Sequence, residues 1–160
     1  MRVRRAGAAD VRALAGLRAR WTEELDGPTD DPSFLDRFDA WFARESAQRV
    51  VWLAETGEGS PVGMLNVMLF ERMPRPGRAT GSWGYVANVY VVPAHRGAGV
   101  GGRLMGALTS YADETGLVRL VLSPTARSVS LYARAGFSGD HDLMLRPQEG
   151  LSERGAGPRP

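Results

Sequence analysis

The chain contains no cysteine and no lysine. Without cysteine there is no disulfide framework, no thiolate nucleophile and no zinc–thiolate site. Without lysine there is no Schiff-base amine, and a phosphate loop of the Gly-x-x-x-x-Gly-Lys type is excluded. The two histidines, His95 and His141, leave no cluster of metal ligands, so no metal is expected. No apolar run approaches the roughly 20 residues that cross a bilayer. The opening MRVRRAGAADVRAL has no apolar segment of the secretory kind. The expected location is therefore the cytoplasm, with no membrane partner. A dominant charge is missing too: 20 basic residues, all arginine, face 18 acids, for a net charge of +2. The arginines are scattered, whereas nucleic-acid binding needs a concentrated basic face, so no nucleic-acid partner is expected.

What is present suits a single domain with one core, over residues 1–146. Residues 3–5 read as a short strand. Asp10 is placed to cap a helix to about residue 25, with Val11, Leu14, Leu17, Arg18 and Trp21 at helical spacing. Ser33 is placed to cap a second helix to about residue 46, carrying Phe34, Leu35, Phe38, Trp41 and Phe42. Residues 50–55 and 62–70 read as a hairpin around a turn at 57–61, and 83–92 as a long strand after a Pro/Gly-containing loop. A helix over 99–115 ends at Gly116, an apolar strand follows at 118–122, and a short helix spans 126–135. Two short final strands are expected at 137–138 and 142–145. The Gly/Pro-rich residues 147–160 are expected to be a disordered tail. Strand, helix, strand over 84–122 predicts a mixed α/β or α+β sheet with a central parallel pair.

The most informative stretch is Val-Val-Pro-Ala-His-Arg-Gly-Ala-Gly-Val-Gly-Gly, residues 91–102. It lies where a strand hands over to a helix, whose first N–H groups lack intrahelical partners and carry the positive end of the dipole. Glycines let an anion approach that bare backbone, which suits a phosphate or pyrophosphate. Gly97, Gly99 and Gly102 fit the Gly-x-Gly-x-x-Gly dinucleotide spacing. That fingerprint also needs an acid after the next strand, which here ends in Ser123-Pro124, and residues 93–96 separate the first strand from the glycines. A third scheme, Arg-x-x-Gly-x-Gly/Ala after a strand ending in Val-Pro, is matched in place by Arg96, Gly99 and Gly101.

With that loop and a second motif, Ser-Leu-Tyr-Ala-Arg-Ala-Gly-Phe at 130–137, the sequence resembles the GNAT N-acetyltransferase family over about residues 83–146. The second motif matches the family's Leu-Tyr-x-x-x-Gly-Phe. The resemblance implies an acyl-CoA N-acyltransferase fold of about six or seven strands and about four helices. It implies acetyl-CoA as acetyl donor, held in a V-shaped opening between strands 83–92 and 118–122 that a bulge in the first strand splays. The pantetheine arm would pair with backbone groups at Val89, Tyr90 and Val91. The pyrophosphate would fall on backbone N–H groups of Arg96, Gly97, Ala98, Gly99, Val100, Gly101 and Gly102. For Gly102, close packing of the helix on the sheet is the plain alternative.

The implied reaction is transfer of an acetyl group to a primary amine. An alkylammonium, with a pKa near ~10, must lose a proton before it attacks. The resemblance gives a backbone N–H near Val91 to the developing oxyanion. It makes Tyr132 the general acid to the CoA thiolate, the alternative being a packing partner that only hydrogen-bonds the sulfur. Strand 83–92 has no acid; Asn88 stands where it can orient a water or hold a substrate carbonyl. Glu23, Glu24 and Glu71 are the carboxylates within reach of a base role, each with a solvated surface acid as the alternative. Thr125 replaces an asparagine common in the family; Thr125 and Ser128 either contact the cofactor or cap the short helix. The acceptor, a small-molecule or peptide amine, should enter between the two early helices and loop 71–81. Trp21, Phe38, Trp41 and Trp83 are candidate walls. A homodimer is a further expectation of the resemblance. A non-catalytic acyl-CoA sensor on the same fold and a nucleotide-binding oxidoreductase are the competing readings.

Overall fold

The computed structural model describes residues 1–141, 143 and 144. Five strands form one sheet in chain order: β1 (Arg2–Arg5), β2 (Arg49–Glu55), β3 (Pro61–Glu71), β4 (Ser82–Val91) and β5 (Leu120–Val121). The first four pair antiparallel and β5 joins β4 in parallel. Helices α1 (Val11–Asp26) and α2 (Phe34–Glu45) lie before β2, α3 (Val100–Thr115) connects β4 to β5, and α4 (Val129–Arg134) follows β5. This is the mixed sheet with a parallel pair that the strand–helix–strand pattern predicts.

Helices cover the sheet on both faces, which is why β2 is buried over its whole middle, Val50 to Ala54. On one face, Val100, Leu104, Met105 and Leu108 of α3 pack against Trp52, Leu65, Val67 and Val86. On the other, Val11, Leu14 and Leu17 of α1 and Phe42 of α2 pack against Val51, Leu53, Met64 and Tyr90. Leu14, Leu17, Leu104 and Leu108 are at most 1% exposed. Each such side chain contributes about 1.5–3 kcal/mol relative to exposure.

Both anticipated helix caps occupy their positions with their side chains engaged elsewhere. Asp10 precedes α1, yet its carboxylate accepts two bonds from the Arg4 guanidinium, each 2.8 Å, and one from the Gly7 amide at 2.9 Å. Arg4 also grips Glu55, so three charges tie β1, β2 and the entry to α1 together. Ser33 likewise donates to Asp31 rather than to the first turn of α2.

The sheet differs from expectation at its far edge. Of the anticipated strand 118–122, Leu120 and Val121 form the ladder with β4, preceded by backbone bonds of the Val118 N–H to the Ser82 carbonyl and of the Gly84 N–H to the Arg119 carbonyl, and 137–138 is irregular. The strand expected at 142–145 and the tail at 147–160 fall largely or wholly outside the described residues, which hold five strands rather than six or seven.

Candidate acyl-donor and acceptor site

β4 and β5 touch at only two residue pairs, Gly84 with Leu120 and Tyr85 with Val121. Gly84 is required there, because a Cβ would lie 2.8 Å from side-chain atoms of both Leu120 and Val67. Beyond this contact β4 stays paired with β3, and its other edge is unpaired for six residues to Val91. The register with β3 steps between Asn66↔Asn88 and Val67↔Val86, leaving Ala87 as a bulged, unpaired residue.

The bulge resets which groups face where. Val92 N–H donates to Val62 C=O at 2.9 Å. Antiparallel alternation then directs the backbone groups of Tyr90 and Asn88 toward β3, and those of Val89 and Val91 toward the open edge. The open edge thus offers the N–H and C=O of Val89 and the N–H of Val91; the Val91 carbonyl accepts Arg96 Nε at 2.9 Å. Side chains alternate as well. Val86, Val89 and Val91 pack toward α3, whereas Tyr90 packs toward α1 and Asn88 enters a cavity under α1 and α2. Were Ala87 paired in a regular ladder, Asn88 would share the face of Val86.

A turn through Pro93, Ala94 and His95 follows, and Gly97 and Gly99 take left-handed φ of +77° and +78°, which favours glycine. Gly99 occupies the N-cap of α3 and brings no capping side chain. The amides of Gly97, Ala98, Gly99, Val100, Gly101 and Gly102 have no hydrogen-bond acceptor among the described residues, and the first helical bond starts at Arg103. Six bare N–H groups in succession form an anion cradle.

Arg96 departs from the anticipated cradle. Its amide is taken by Pro93 C=O at 3.1 Å, and its guanidinium donates to Val91 C=O and pairs with Glu24 at 2.6 Å. The guanidinium holds the Glu24 carboxyl below its ordinary range, and Glu24 in return raises Arg96. Tyr90 joins this cluster and stacks on Trp21 at 5.7 Å; burial foremost, then Glu24, raises its phenol. Arg96 therefore ties the loop to α1. The glycine that packs is Gly101, where a Cβ would sit 3.3 Å from Leu131; Gly102 faces open space.

Tyr132, on α4, is partly buried against the α3-side core and meets Phe137 edge-on at 6.1 Å. Burial pushes its phenol up from the ordinary value, against a smaller opposing effect of the Ser128 hydroxyl. Thr125 and Ser128 are engaged with each other: Ser128 Oγ receives the Thr125 amide at 3.0 Å and lies 3.0 Å from Thr125 Oγ1. They cap the turn that leads into α4.

On the opposite face lies a cavity of about 270 Å³. Leu14 and Arg18 of α1 and Phe34, Phe38, Trp41 and Phe42 of α2 form its roof; Val51, Met64, Asn66 and Asn88 form its floor. Of the four aromatic walls expected, Phe38 and Trp41 line it. Trp21 is on Tyr90, and Trp83 stacks on Phe70 at 4.5 Å. Loop 71–81 does not reach it, and among the described residues no carboxylate does: Glu24 is on Arg96, and Glu23 and Glu71 are exposed. Asn66 went unnoticed in the sequence, although an amide inside Met64-Leu65-Asn66-Val67-Met68 was the available signal. Its Nδ2 donates to Asn88 Oδ1 at 3.2 Å, and its own Oδ1 is buried with no partner among the described residues.

β4 and β5 pair at one end only, and beyond that pairing the open edge of β4 leads to a row of amides without acceptors among the described residues. The chain belongs to the acetyltransferase (GNAT) family, whose model matches residues 14–137. Over 88 residues it is 31% identical to glucosamine 6-phosphate N-acetyltransferase of Trypanosoma brucei brucei, which covers 55% of this chain and 57% of that protein. It is 29% identical over 110 residues to glucosamine 6-phosphate N-acetyltransferase 1 of Oryza sativa subsp. japonica, covering 69% of this chain and 65% of that protein. The chain thus spans less than two thirds of either curated relative. A "predicted acetyltransferase with acetyl-CoA" from Clostridium acetobutylicum superposes with a TM-score of 0.72 at 22% identity, covering 92% of this chain and 95% of that one. That likeness shows the fold.

Proposed function

We propose that this chain transfers the acetyl group of acetyl-CoA to a primary amine that enters the cavity under α1 and α2. The observation that carries the reading is the continuity of two unpaired donor sets: the edge of β4 beyond the Ala87 bulge and the six amides from Gly97 to Gly102. Acetyl-CoA supplies the acetyl group already activated as a thioester.

The residues divide the work as follows. The amides of residues 97–102 hold the pyrophosphate, aided by the positive end of α3. Val89 offers its N–H and C=O to the pantetheine amides in the manner of an added strand. The Val91 N–H faces the same edge and stabilises negative charge that develops on the thioester oxygen during attack. Asn88, which lines the cavity, places the amine or a water that takes its proton. Tyr132 O–H gives its proton to the departing sulfur; the raised phenol is protonated at neutral pH, as that step requires. Thr125 and Ser128 hold the turn before α4 and so position Tyr132.

Calorimetric titration with acetyl-CoA, with NAD as control, tests the reading. Saturable binding of acetyl-CoA alone, lost in Gly99→Glu, is expected. No binding by folded protein would sink it. A second reading, a non-catalytic acyl-CoA sensor, draws on the lack of a carboxylate around the cavity among the described residues. Acetyl-CoA binding with no CoA release in the presence of any amine would favour the sensor.

A further inference from the structure

The acceptor cavity is chemically one-sided. Its roof is four aromatic rings and a leucine, and its floor adds Val51 and Met64. Polar groups are confined to Arg18, Asn66 and Asn88. An ammonium ion entering there would meet a guanidinium and, among the described residues, no carboxylate. Both the apolar walls and the Arg18 charge favour the neutral form of an amine over the charged one. A body bearing many hydroxyls would leave them without partners against the rings.

Asn66 supplies the second observation. It is 5% exposed, lines the cavity floor, and keeps one oxygen without a donor. A buried amide oxygen left unpaired is costly, and its natural complement is an N–H. The nitrogen of a neutral amine has N–H bonds to donate and a lone pair left for attack. Asn66 is itself fixed by its bond to Asn88, so the two amides act as one recognition unit.

We infer that the acceptor is a monoamine carried on an apolar, ring-sized body, its body held among the α2 aromatics and its N–H accepted by Asn66 Oδ1. This deepens the acetyltransferase reading and rests on it. It also separates this chain from its curated relatives, whose names specify a phosphorylated amino sugar. Attack forms the new C–N bond as the C–S bond breaks. The nitrogen's extra proton leaves through water at Asn88, and the sulfur takes a proton from Tyr132.

The test is a two-stage assay on the full chain. Acetyl-CoA binding is measured first by calorimetry, then CoA release is followed with phenethylamine, spermidine and glucosamine 6-phosphate as acceptors. Phenethylamine should exceed the other two at least ten-fold in kcat/KM. Phe38→Ala should raise its KM several-fold with kcat little changed, and Asn66→Ala should lower kcat/KM at least ten-fold. Both variants should bind acetyl-CoA as the parent does, which shows that they fold. If acetyl-CoA binds but phenethylamine is no better than the polar amines, or is not acetylated, the inference falls while the donor site stands. If acetyl-CoA does not bind, the acetyltransferase reading falls and takes the inference with it.

Discussion

In the proposed mechanism the proton transfer to sulfur falls to Tyr132. Its phenol is raised by burial, so it remains the protonated form across neutral pH and beyond the ordinary tyrosine range. Replacement by phenylalanine keeps the packing against Phe137 and removes only the proton. We expect Tyr132→Phe to lower kcat by about 10²-fold, within the range for a lost general acid, with acetyl-CoA affinity unchanged in calorimetry. An equal loss of affinity would mean that the hydroxyl binds rather than reacts. Arg96 behaves differently. The ion pair with Glu24 is about a third exposed on each side, so it is worth about 1 kcal/mol or less. Glu24→Gln should therefore weaken acetyl-CoA binding by up to about five-fold. Because the folded Glu24 carboxyl is held below its ordinary value, the pair contributes fully above that ordinary value and fades as pH falls through the lowered one. Acid weakening of acetyl-CoA binding that persists unchanged in Glu24→Gln would remove Glu24 from the account.

At the scale of elements, β4 carries the argument. Because Ala87 is bulged out of the ladder, Asn88 faces the cavity under α1 and α2 and the Val89 and Val91 amides face the open edge. Deleting Ala87 would make Val86 and Asn88 neighbours in a regular ladder, keeping Val89 and Tyr90 on their present faces while removing the local bend of β4. We expect the deletion variant to stay folded by circular dichroism and to bind acetyl-CoA more weakly in calorimetry, because the bend at the start of the open edge is lost. Gly84 guards the other half of the opening. Gly84→Ala places a methyl 2.8 Å from Leu120 and Val67 side-chain atoms and should cost about 1–3 kcal/mol in chemical denaturation. Helix α1 links the two sites, since it presents Leu14 and Arg18 to the cavity and Glu24 to the glycine loop.

At the scale of the whole molecule, local features were legible in the sequence and long-range ones were not. The glycine loop could be read because αL turns and bare amides are encoded by adjacent residues; Gly97 and Gly99 are where they were expected. The early helices and α3 followed from apolar periodicity, and the parallel pair from the strand–helix–strand order. A bulge in β4 was expected from the family resemblance, and its place at Ala87 is set by the register with β3. Asp10 is drawn from its capping role by Arg4 and Arg96 from the cradle by Glu24, both through folding of distant segments. The cavity, which uses only two of the four aromatics proposed for it, is set by how α2 lies on the sheet. Asn66 escaped notice because one amide in an apolar strand has meaning only beside Asn88.

The central claim is that one ligand spans the β4 edge and the α3 amides. Amide-resolved NMR during titration with acetyl-CoA tests it most directly. The amides of Val89, Val91 and residues 97–102 should shift together with one dissociation constant, while those of Asn88 and Tyr90, directed toward β3, should move less. Shifts confined elsewhere, or a loop that moves without the β4 edge, would contradict it.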